Sequence, residues 1–134
     1  MRLNTFGSRV VWLLVFGLMP FTAKAVMAHH SFEAEYDANK PATVSGVVTK
    51  LDWVNPHAFV TLEFKDPSGK VKTFKIEMGP PYSLVRNGWK KDMLKIGDKV
   101  TVEGCALAKD GSDSAGSEQT TRMVLANGQK LAMR

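Results

Sequence analysis

Apolar and polar residues alternate along three successive stretches in the middle of the chain: Thr43–Leu51 (TVSGVVTKL), Ala58–Lys65 (AFVTLEFK) and Val71–Met78 (VKTFKIEM). A period of two with many Val, Thr and Phe residues predicts half-buried strands. In the first, Val44, Gly46 and Val48 share a face, while Leu51 and Trp53 have the opposite parity. That switch requires a bulge or sharp coil, and Gly46 is the residue expected to permit it. Ala58, Val60, Leu62 and Phe64 form the inward set of the second strand, and Phe74, Ile76 and Met78 that of the third. A fourth strand is expected over Lys99–Leu107, with Val100 and Val102 inward and Gly104 deciding the face of Cys105. The last readable pattern is a hairpin, Thr121–Leu125 and Gln129–Ala132, joined at Asn127-Gly128.

The connections carry their own signals. Trp53-Val54-Asn55-Pro56-His57 joins the first two strands, and proline excludes a helical residue before it, so this pentapeptide reads as a hairpin rim. Asp66-Pro67-Ser68-Gly69 fits a type I turn. Gly79-Pro80-Pro81 ends the third strand, and a short helix is expected over Pro81–Asn87, stopped by Gly88, with Leu84 and Val85 buried. Residues 109–119 (KDGSDSAGSEQ) read as a loop. The order is strand, strand, strand, short helix, strand, strand. It predicts an all-β fold with one short helix: a small five-stranded barrel of the oligonucleotide/oligosaccharide-binding (OB) type. A single meandering sheet or an open sandwich is the other arrangement such strands allow.

The first 28 residues follow a different pattern. Arg2 and Arg9 precede a 12-residue apolar run, Val10–Phe21, and small residues follow at Ala23-Lys24-Ala25 and Val26-Met27-Ala28. This is the composition of a secretory signal peptide, with cleavage after Ala25 or Ala28, and it implies a periplasmic or secreted protein with no membrane attachment after processing. Residues 29–42 read as an extended arm with Phe32 and Tyr36 as anchors, and 43–134 as the barrel. The 18 Lys and Arg residues against 13 Asp and Glu give +5. Without Arg2, Arg9 and Lys24 the balance is 15 − 13 = +2, too small for a nucleic-acid footprint. Cys105 is the single cysteine, which excludes an internal disulfide.

Three motifs then occur in order: His29-His30-Ser31-Phe32-Glu33-Ala34-Glu35-Tyr36-Asp37, Trp53-x-Asn55-Pro56-His57, and Gly88-Trp89 followed by Leu94-x-x-Gly97-Asp98. Across residues 29–131 the chain resembles a family of small exported bacterial proteins classed as a domain of unknown function. The resemblance implies a periplasmic or secreted β-barrel and carries no activity, cofactor or catalytic residue. Ser112–Gln119 departs from that family by enlarging the loop before the last strand.

Two groups of residues suggest chemistry. His29, His30 and His57 offer imidazoles that suit copper and other transition metals, and cleavage after Ala28 would add an α-amine beside His29. Solvated N-terminal histidines and a turn-fixing His57 are the plainer account of the same residues. Trp53, Phe59, Tyr82 and Trp89, with Asn55 at the rim, offer a stacking and hydrogen-bonding surface for a small ring-bearing ligand or sugar. Core packing is the plainer role for Trp89. Glu63 and Glu77 are expected beside Lys65 and Lys75 as a cross-strand charge ladder. The sequence has no phosphate loop, nucleophile elbow or Cys-x-x-Cys pair. The expectation is therefore a non-enzymatic exported module that binds a small molecule or a periplasmic protein, with periplasmic copper binding as the alternative.

Overall fold

A computed structural model of the chain describes residues 32–134. The proposed leader, His29 and His30 lie outside the described residues. Residues 32–35 are helical and lead directly into β1 (Tyr36–Asp52). The other elements are β2 (Phe59–Lys65), β3 (Val71–Glu77), α1 (Pro81–Arg86), β4 (Lys99–Ala108), β5 (Ser114–Gly116), β6 (Arg122–Val124) and β7 (Lys130–Ala132).

The strands close on themselves. β1 pairs with β2, β2 with β3, β3 with β5 in parallel, β5 with β4, and β4 returns to β1. This five-stranded closure, with a helix between the third and fourth strands, is the OB-type barrel that the alternation implies. β6 and β7 form an added hairpin on β4, turning at Asn127-Gly128. The fifth barrel strand is thus β5, inside the stretch expected to be a loop. Its Ser-Ala-Gly composition has no large side chain to show a period, yet Ala115 is fully buried.

The long β1 serves both halves of the barrel. Val47 is paired with Lys99 on one side and Glu63 on the other, so the strand passes between sheets there. The expected parity switch comes from a register shift between Val48 and Lys50, which buries Val48 and lets Leu51 and Trp53 pack on the core. Gly46 has a different role from the one expected. A Cβ at Gly46 would lie 2.7 Å from the Glu63 carbonyl oxygen, so glycine allows the close approach of β1 to β2.

The core contains Val60, Leu62, Ile76, Met78, Val102 and Met123, all fully buried, with Leu84 and Trp89 closing one end. Trp89 follows Gly88, whose φ of 95° ends α1 in the left-handed region, and its indole N–H donates to the Ala132 carbonyl at 2.6 Å. Val85, expected inside, is 56% exposed, because a single turn-and-a-half of helix buries only the Leu84 side.

Candidate functional site

Glu77 ends β3 on the outer face of the barrel, where its register partners are Phe59 on β2 and Gly116 on β5. Ala58 and Met78 continue the β2–β3 ladder, with the Met78 N–H donating to the Ala58 carbonyl at 2.8 Å. His57 therefore sits one step beyond Phe59 on the same face, as a diagonal neighbour of Glu77. Its Nδ1 lies 2.7 Å from Glu77 Oε1. The second carboxylate oxygen accepts a hydrogen bond from the Tyr36 hydroxyl at 3.1 Å. Both oxygens are committed, and the Glu77 side chain is only 11% exposed.

The local sequence explains why Tyr36 can reach this carboxylate. Gly116 leaves a hollow beside Glu77, and the rings of Phe32 and Tyr36 fill it. A Cβ at Gly116 would stand 2.6 Å from Tyr36 Cδ2 and closer still to Phe32. The two rings are in tilted contact, 5.0 Å between centroids. The Arg134 guanidinium covers Phe32 from outside at 4.6 Å and donates to the Ser117 carbonyl at 2.8 Å. Lys109 ties the helical turn down, donating from its ammonium to the Glu33 carbonyl and from its amide to the Glu35 carbonyl.

A carboxylate only accepts hydrogen bonds, so Nδ1 of His57 carries a proton, and in the neutral imidazole Nε2 is the nitrogen that keeps its lone pair. The imidazole is 27% exposed, which leaves it open to a ligand. Burial, and then the Glu77 charge, push the Tyr36 phenol well above its ordinary range, so it stays a donor. The result is a directed series, Tyr36 to Glu77 from one side and His57 to Glu77 from the other, that orients one basic nitrogen at the rim. Such a nitrogen can accept a proton or a hydrogen bond, or ligate a metal ion. Beside Tyr36 a groove of about 440 Å³ opens between the helical turn and the β5–β6 connection, lined by Phe32, Asp37, Asn39, Lys109, Gln119 and Arg134 among others.

The other residues singled out by sequence fall in different places. Trp53 is half-buried and packs on the core, while Asn55 and Pro56 are exposed at the tip of the rim, joined by a cis peptide bond. Phe59 points outward, but Lys75 Nζ lies over its ring at 4.2 Å. Tyr82 is 68% exposed on α1. Trp89 is 1% exposed, so its ring is a core element closed to a stacking ligand. The expected Glu–Lys ladder does not form: Glu63 faces Thr73, Lys75 faces Thr61, and Glu77 turns to His57. Cys105 is buried, and desolvation pushes its thiol up to about 11. Among the described residues no three His, Cys, Asp or Glu side chains are grouped to hold a metal ion.

Tyr36 and Glu77 are the two site residues that sequence reasoning missed. One signal was available. Counting outward from the Asp66–Gly69 turn puts Glu77 opposite Phe59, which makes His57 its same-face neighbour. Neither the curated proteins nor the solved structures include a match to this chain. A family model does match, over residues 18–118, and on that span the chain belongs to the family of unknown function DUF6152.

Proposed function

We propose that the protein is an exported binding module whose recognition surface is the rim where Glu77 holds His57 and Tyr36, together with the adjoining groove. Export is supported by the composition of residues 1–28, a basic start, an apolar run and small residues at the exit. The observation that carries the binding reading is the twice-engaged Glu77 carboxylate. At 11% exposure that carboxylate holds the His57 imidazole on one oxygen and the Tyr36 phenol on the other, which fixes the ring that a ligand at the rim would meet. The groove has the size of a small-molecule site, and its Asp37, Asn39, Lys109, Gln119 and Arg134 side chains suit a polar, hydroxyl-bearing ligand more than an apolar one. Trp53 and Asn55 frame the rim, and Tyr82 offers a separate exposed ring on α1.

Amide chemical-shift mapping with a library of small polar fragments, sugars included, tests this reading. Shifts should converge on residues 36, 57, 77 and 117–119. Fragments that bind only elsewhere, or not at all, would remove the rim from consideration.

A further inference from the structure

A second concavity lies at the other end of the β2–β3 hairpin from the rim, and its origin is in the pairing of β1. That strand follows β2 from Asp52 back to Val47, where Val47 meets Glu63. Before that point it runs along β4 alone, with Gly46 opposite Val100 and Ser45 opposite Thr101. The last residues of β2, Phe64 and Lys65, pair with β3 alone, at Lys72 and Val71. β1 and β2 therefore part as a wedge. Its apex is Gly46, where a Cβ would stand 2.7 Å from the Glu63 carbonyl oxygen. The groove so opened reaches across β4 to Val124 and Leu125, with a volume of about 700 Å³, within the range of small-molecule sites. It shares no lining residue with the groove beside Tyr36.

The lining is two-sided in character. Phe64, Val100, Val124 and Leu125 make it apolar, and Phe74 backs the Phe64 ring edge-on at 6.5 Å between centroids. Lys65 and Lys99 line the same groove and are exposed. Lysine lays its carbon stem along apolar surface and keeps its ammonium in water. The ion pairs among the described residues are made by Lys40, Lys50, His57 and Lys130, so no carboxylate there engages Lys65 or Lys99. Two ammonium groups thus stand against the single Glu63 carboxylate of the lining. The Ser45 and Thr101 hydroxyls lie 2.8 Å apart in this groove. One donates to the other, and the second keeps its proton for an outside acceptor.

We propose that this groove is a second binding site, for a single-chain amphiphilic carboxylate of the fatty-acid class. The hydrocarbon chain covers the apolar walls formed by Phe64, Val100, Val124 and Leu125. The carboxylate accepts from the Lys65 and Lys99 ammonium groups and from the spare hydroxyl proton of the Ser45–Thr101 pair, as charge-assisted bonds favour. An amphiphilic cation would instead meet two like charges, and a small polar anion would leave the apolar walls in water.

Amide chemical-shift titration of the isotope-labelled protein with decanoate tests this. Saturable shifts are expected at residues 45–47, 63–65, 99–101 and 124–125, with a Kd below ~100 µM. Acetate, the same headgroup without the chain, should shift none of them. Decanol and decyltrimethylammonium should each bind at least ~10-fold more weakly than decanoate, a comparison made on the unsubstituted protein and so independent of any variant's folding. The double variant Lys65→Gln/Lys99→Gln should lose ~10-fold or more in decanoate affinity and keep its decanol affinity. Decanol binding as tight as decanoate, or decanoate affinity unchanged in the double variant, would overturn the proposal. So would the absence of saturable shifts, or shifts confined to residues 36, 57, 77 and 117–119, which would place the amphiphile at the rim instead.

Discussion

Replacing Glu77 with alanine removes the acceptor for two side chains at once, and the cost can be worked from their surroundings. Tyr36 is 8% exposed, so its hydroxyl would be left largely without water, at about 1–3 kcal/mol. His57 at 27% exposure can rehydrate, and a partly screened pair of this kind contributes about 0.2–1 kcal/mol. Together the loss should be about 2 kcal/mol, and a domain of about 100 residues then melts roughly 8–16 °C lower. Tyr36→Phe alone removes the hydroxyl with its bond and should cost about 1 kcal/mol. The double variant has no orphaned hydroxyl, so its cost should fall short of the sum of the singles by about 1 kcal/mol. Urea denaturation of the four proteins measures this directly. A Glu77→Ala cost below about 0.5 kcal/mol, or single costs that simply add, would refute the claim that these side chains act as one unit.

Three further outcomes follow from the same structure. Gly116→Ala places a Cβ 2.6 Å from Tyr36 Cδ2, so the ring must move; a loss of about 1–3 kcal/mol in urea denaturation is expected, with a changed near-ultraviolet dichroism signal. The Tyr36 phenol is raised in the folded chain, so the folded state holds its proton longer than the unfolded one does. Its contribution is complete below the unfolded value near ~10 and is lost as pH climbs above it, so stability should fall over that range and fall less in Tyr36→Phe. Cys105 is buried with its thiol pushed up to about 11, so a thiol reagent at pH 8 should label it only at the rate of opening of the fold. Rapid labelling of native protein would contradict that burial.

Strands one to four, α1 and the final hairpin were legible because their inward residues are large and regularly spaced. β5 was not, since Ser114-Ala115-Gly116 has side chains too small to show a period, and its strand character comes from pairing with Lys75–Glu77 and Ala106–Leu107. The smallness has a purpose that only the assembled barrel reveals: Gly116 is the seat of Phe32 and Tyr36. His57 was legible as a rim residue from its position after Asn-Pro. Its partner was hidden by the assumption that strand glutamates pair with strand lysines, whereas the register puts Glu77 opposite Phe59 and frees it for His57. Tyr36 lies 41 residues before Glu77 and meets it only because the barrel closes through β4 and β5, a contact that no local pattern encodes.

The proposed recognition surface turns on one nitrogen. A histidine-ring proton–nitrogen correlation spectrum of the native protein should show His57 protonated at Nδ1 and bare at Nε2, with this preference lost in Glu77→Ala. If His57 carries its proton on Nε2, or exchanges freely between tautomers with Glu77 in place, the rim orients nothing and the proposed recognition surface goes with it.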